Sequence, residues 1–69
     1  MRLSARNVLR GTIKSIEIGA VNAELTVEIG AGLEITSIIT RKSCESLGLA
    51  EGREAHVVIK ATNVMIGVE

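Results

Sequence analysis

Three short polar runs carry the side chains from which chemistry could be built: Ser4-Ala5-Arg6-Asn7 near the start, Thr40-Arg41-Lys42-Ser43 in mid-chain and Ile59-Lys60-Ala61-Thr62 near the end. They supply hydroxyls, amides and cations, so the chemistry they suit is the binding of an oxyanion. Thr40 stands where a helix N-cap belongs, and Ser43, three residues on, places a second hydroxyl beside the unpaired amides of the first turn. Those amides and the helix dipole attract negative charge. Arg6 offers a planar fork of donors and Lys60 a compact point charge, a pairing suited to a doubly charged tetrahedral anion.

Other reactive side chains fall short of a site. A zinc centre wants three or four Cys, His or carboxylate ligands, and His56 and Cys44 stand alone with no ligand spacing. A thiol nucleophile needs an activating base, whereas Cys44 falls on the predicted buried face of a short helix, so packing is the role assigned to it. Glu24 and Glu28 lie four strand positions apart, about 13 Å at 3.3 Å per residue, too far for a two-carboxylate mechanism. They are read as solvent-facing or as part of subunit contacts.

The elements that must position these residues are mostly strands. From Ala23 to Ile29 the apolar residues Ala23, Leu25, Val27 and Ile29 alternate with Glu24, Thr26 and Glu28, the pattern of a half-buried strand. Val8 to Ile18 is also strand-like, but Ile13 is out of phase with Ile16 and Ile18, which predicts a bulge near Lys14-Ser15. Gly19-Ala20-Val21-Asn22 turns the chain, and Gly30-Ala31-Gly32 turns it again into a strand from Leu33 to Ile39. A helix follows over about Arg41 to Leu47, with Cys44 and Leu47 on one face and Gly48 at a left-handed cap position. After a turn at Glu51-Gly52, Arg53 to Lys60 and Val64 to Val68 complete the strands. Val58 makes the fourth strand apolar on both faces, which fits a subunit interface as well as a core. Five strands with one short helix before the fourth predict a mainly β, five-stranded, OB-like Greek-key barrel.

Composition bounds the rest. Sixty-nine residues make one domain, which alone would bury only about 60% of its unfolded surface. Without Phe, Tyr, Trp or Pro the core must come from Ile, Val, Leu and Ala, and one cysteine permits no internal disulfide. Oligomerisation is the expected extra source of burial. Eight basic residues balance eight acidic ones, and with no stacking aromatics this argues against a nucleic-acid partner. No segment is apolar enough for a signal peptide or membrane helix, so a cytoplasmic location with a reduced thiol is expected and no membrane association.

The order and spacing of several elements resemble the molbindins, the small single-domain Mop proteins. The resemblance rests on Ser-Ala-Arg-Asn at 4 to 7, Gly19 to Glu24, Ile35 to Thr40, Ser43 with Leu47-Gly48-Leu49, Glu51-Gly52 and Val58 to Met65, and it covers nearly the whole chain as one domain, 1–69. It implies a cytoplasmic homohexamer, a trimer of dimers, that holds molybdate or tungstate between subunits for molybdenum storage or homeostasis, with no enzymatic activity, no cofactor and no metal coordinated directly by the protein. It also implies an oxyanion site formed by Ser4, Arg6, Thr40, Ser43, Lys60 and Ala61, the last acting through its backbone amide. A second site on a threefold axis is implied as well, for which Gly19, Ala20, Val21 and Asn22 are the candidates. The alternative functions for such a chain are an oxyanion-responsive module acting on a protein partner, and an OB-fold nucleic-acid binder.

Overall fold

Alternation of apolar and polar residues gives the chain its sheet. The computed structural model describes residues 1–69 and places β1 at Asn7–Ile18, β2 at Asn22–Gly30, β3 at Leu33–Thr40, α1 at Arg41–Ser46 and β4 at Glu54–Ile59, followed by a 3₁₀ turn at Ala61–Asn63. The strands form one antiparallel sheet in the order β3-β2-β1-β4. Three strands joined by hairpins and a fourth returning beside the first make a Greek key. The sheet is curled into a half-barrel of the OB-like class, as expected.

The expected slip in β1 is present. Ile13 pairs with Val27 and Ser15 with Thr26, so Lys14 is the extra residue. This bulge turns both Ile13 and Ile16 toward the core, against Val27 and Leu25. Just before it, β1 crosses β2 so closely that a Cβ on Gly11 would sit 2.9 Å from Val27 Cγ1 and closer still to the Glu28 carbonyl oxygen. Only glycine fits there.

The core is small: Ile13, Ala23, Leu25, Val27 and Cys44 are its only buried residues, with Ile16, Ile29, Ile39, Leu49, Ala55 and Val57 packed around them at partial exposure. Cys44 is the one residue that α1 buries, in agreement with its packing role. Leu47, expected on the same face, is exposed instead. The helix stops at Ser46, Leu47 becomes its C-cap, and Gly48 takes the left-handed conformation (φ 63°) that turns the chain away. Arg53 Nη1 donates to the Gly48 and Leu47 carbonyls and closes the helix end. The return loop is held to the bulge of β1 by Gly52 N–H to Ile13 O at 2.8 Å and Ile13 N–H to Arg53 O at 3.0 Å.

One expected element is missing. Val64 to Val68 forms no strand, so the single chain has four strands and not five. The 3₁₀ turn leads this segment away from the sheet, and no edge of the same chain pairs with it.

Candidate functional site

Pairing of β1 with β4 brings the two chain ends together. Asn7 lies opposite Ile59 and Val8 opposite Val58, and Asn7 Nδ2 donates to the Ile59 carbonyl at 3.3 Å. Ser4, Ala5 and Arg6 therefore lead into β1 beside Lys60, Ala61, Thr62 and Asn63 as these leave β4. With Val58 they enclose an open hollow of about 600 Å³. No carboxylate lines it, and its two cations are free: the ion pairs of the molecule are Arg10 with Glu54 at 4.0 Å and Arg41 with Glu45 at 2.9 Å. The Ala61 N–H opens the 3₁₀ turn and has no backbone acceptor, so it remains available as a donor.

A second group of donors forms where β3 passes into α1. Thr40 is in extended conformation and caps the helix, its Oγ1 accepting from Ser43 N–H at 3.0 Å and donating to Ser43 Oγ at 2.8 Å. With its acceptor side satisfied by Thr40, the Ser43 hydroxyl has its own proton free for a ligand. The Gly19–Asn22 turn packs against this helix start. Gly19 N–H donates to Asn22 O at 2.7 Å, Arg41 N–H donates to Val21 O at 2.8 Å, and Asn22 faces Thr40 across the β2–β3 ladder. Ala20, Val21, Thr40, Arg41, Lys42 and Glu45 line a shallow hollow of about 530 Å³ here. Arg41 is engaged by Glu45, which leaves Lys42 as the unpaired cation of this corner.

Within one chain the two groups do not meet. They share no lining residue and stand at opposite ends of β1, eleven residue steps apart, at most about 36 Å along an extended strand. The sheet's outer face between them is acidic, with Glu17 opposite Glu24 and Glu28 opposite Glu34. Facing carboxylates repel one another and any approaching anion, so these two stretches of the face between the hollows disfavour an anion.

The structure thus groups Ser4, Arg6, Lys60 and Ala61 in one hollow and places Thr40 and Ser43 in another, next to Gly19, Ala20, Val21 and Asn22. Three residues that the sequence does not assign to the oxyanion site also line these hollows. Thr62 and Asn63 join the first hollow because the 3₁₀ turn folds them back toward Arg6, and Lys42 is singled out only once Arg41 is seen to be paired. His56 stands on the outer face opposite Arg10, and no three His, Cys, Asp or Glu side chains gather into a metal-binding group.

Comparison with known proteins agrees in both sequence and shape. A family model described as the TOBE domain matches residues 3–66. The chain is 46% identical over 69 residues to a probable molybdenum-pterin-binding protein of Haemophilus influenzae, covering 100% of each chain. Among solved structures, MopII from Clostridium pasteurianum superposes with a TM-score of 0.92 at 46% identity, over 97% of this chain and 100% of that one. The cytoplasmic molybdate-binding protein ModG, with molybdate bound, superposes with a TM-score of 0.94 at 55% identity, and this chain spans 49% of its length.

Proposed function

The chain belongs to the TOBE-domain family, among its small Mop-type members, and on that premise we propose that it binds molybdate or tungstate reversibly as cargo. The names of its relatives and the molybdate-bound ModG support the identity of the anion. The observation that carries the reading is the hollow at the chain ends, where two unpaired cations, hydroxyls and a free backbone amide converge without a carboxylate. Molybdate is a tetrahedral dianion that accepts hydrogen bonds at every oxygen. A site made of donors alone holds it, and the charges of Arg6 and Lys60 match its own.

In this reading Ser4, Arg6, Lys60 and Ala61 of one subunit face Thr40 and Ser43 of a neighbour, which makes the oxyanion site a product of assembly. Their separation within one chain supports that division. The assembly is a cytoplasmic homohexamer, a trimer of dimers, each subunit contributing a single 1–69 domain. Its Gly19–Asn22 loops surround the threefold axis and form a second class of oxyanion site. The role is storage or homeostasis of molybdenum: the anion is bound and released without change in oxidation state or loss of oxo ligands, so no catalytic residue is assigned.

Native mass spectrometry of the protein with and without molybdate tests this. A hexamer that gains discrete oxyanion masses is the expected result, with sulfate displacing them poorly because donors spaced for a larger ion cannot all close on it. A protein that takes up no molybdate at micromolar concentration overturns the reading.

A further inference from the structure

On the outer face of the β1–β4 ribbon the side chains stand in rungs. Thr12 faces Glu54, Arg10 faces His56 and Val8 faces Val58, after which the strands run out into Arg6 and Lys60. Strand alternation leaves Glu54, His56, Val58 and Lys60 exposed on one side of β4, and Arg6, Val8, Arg10 and Thr12 exposed on the matching side of β1. Val58 lines the hollow at the chain ends, and His56 is the next side chain on the same side of the strand. Along the backbone that places His56 about 7 Å from Val58 and about 13 Å from Lys60.

Histidine is the side chain whose ordinary titration changes its charge between about pH 5 and pH 8, and His56 is the only one in the chain. β4 is a sheet edge paired with β1 alone, and α1 packs on β2 and β3, so few groups surround it. Arg10 faces it across the ladder, Glu54 flanks it on its own strand, and Val8 and Thr12 on the neighbouring rungs are uncharged. Arg10 pairs with Glu54 at 4.0 Å, and Glu28 lines the same surface hollow as both, so the fixed charges beside His56 offset one another. A proton on His56 therefore turns this rung cationic, while guanidinium and ammonium groups keep their charge throughout that pH range.

We infer that His56 is a protonation-dependent cation of the oxyanion hollow, tightening its hold on the anion as the pH falls through the imidazole range and loosening it as the pH rises. The inference concerns the regulation of the site proposed above and rests on that reading. His56 acts through its field, across the apolar Val8–Val58 rung, without touching the anion. A unit charge about 10 Å from a dianion changes its affinity about two- to fourfold at low ionic strength. Linkage is reciprocal, so a bound dianion raises the titration midpoint of the imidazole by the logarithm of the same factor.

The test is molybdate calorimetry at low salt and at about pH 5.5 and about pH 7.5, either side of the imidazole titration, with sedimentation to confirm equal assembly. Wild type should bind about two- to fourfold more tightly at the lower pH. His56→Gln should hold the weaker affinity at both, and His56→Lys, a permanent cation, the tighter one. All three proteins share the same chain start, so any contribution of the α-amino group cancels between them. Proton NMR of the single imidazole, titrated with and without molybdate, reads the reciprocal effect directly. A pH response that survives in His56→Gln overturns the inference, as does an imidazole titration that molybdate leaves unmoved. Either result with molybdate bound refutes the role of His56 alone, whereas a protein that binds no molybdate at either pH refutes the site itself and its regulation together.

Discussion

Removing the two free cations should abolish tight oxyanion binding while leaving the fold untouched. Arg6 and Lys60 are exposed and neither takes part in an ion pair, so Arg6→Ala and Lys60→Ala remove no contact that the isolated chain uses for stability. Such surface changes alter folding by no more than about 0.5 kcal/mol. Each does remove a charged donor to a dianion, and a hydrogen bond to a charged group contributes about 1.5 to 3 kcal/mol. Tenfold in affinity corresponds to about 1.4 kcal/mol, so each single variant should bind roughly 10- to 150-fold more weakly, and the double variant by more than either. Arg6→Lys should fall between wild type and Arg6→Ala, since it keeps the charge and loses the planar fork. Calorimetry with molybdate, run beside sedimentation to confirm equal assembly, measures this. Raising salt should weaken the wild-type protein and leave the residual binding of the double variant nearly unchanged, because exposed charges are screened over about 8 Å at physiological ionic strength. If the double variant is assembled and binds molybdate like wild type, the hollow at the chain ends is not the site.

Three further outcomes follow from the same geometry. Thr40→Ala removes the acceptor for Ser43 N–H and the partner that orients the Ser43 hydroxyl; it should cost about 1 kcal/mol of stability and weaken molybdate binding, with Thr40→Ser restoring both in thermal melts and titrations. Gly11→Ala forces a methyl against Val27 and the Glu28 carbonyl, an overpacking cost of about 1 to 3 kcal/mol that should lower the melting temperature by several degrees or more without direct effect on the donors. Val58→Asp puts a charge on the floor of the hollow, opposite Val8, where it should depress oxyanion uptake through repulsion and dissociate the assembly if that face is covered by a neighbour; native mass spectrometry reads both.

Period-two patterning made the sheet legible before any coordinates. Ala23 to Ile29 read as a strand because its partners on both sides lie in the same chain, and the slip at Lys14 was visible because Ile13 and Ile16 cannot otherwise share a face. The helix was legible from Thr40 and Gly48, the residues that begin and end it. Leu47 misled because periodicity assigns a face but not the turn at which a six-residue helix stops. Val64 to Val68 misled for another reason: alternation reports that a segment is built to pair, and carries no information on which molecule supplies the partner. Of the candidate site, the residue types were legible and their grouping was not. Lys60 meets Arg6 only through the β1–β4 register, and Thr40 meets Asn22 only through β2–β3, long-range pairings absent from any local pattern.

Cys44 makes the molecule its own reporter. It is the sole thiol, 4% exposed, closed beneath a helix of six residues whose first turn carries Thr40 and Ser43. A reagent in solution can reach its sulfur only while α1 lifts from β2 and β3, so the alkylation rate under fast reclosing measures the equilibrium of that opening. Whatever holds α1 in place, whether an anion on Ser43 at its start or a neighbouring subunit against Leu47 at its end, must slow the reaction in proportion to its hold. Labelling of one sulfur thus becomes a clock for occupancy at a place the thiol never touches.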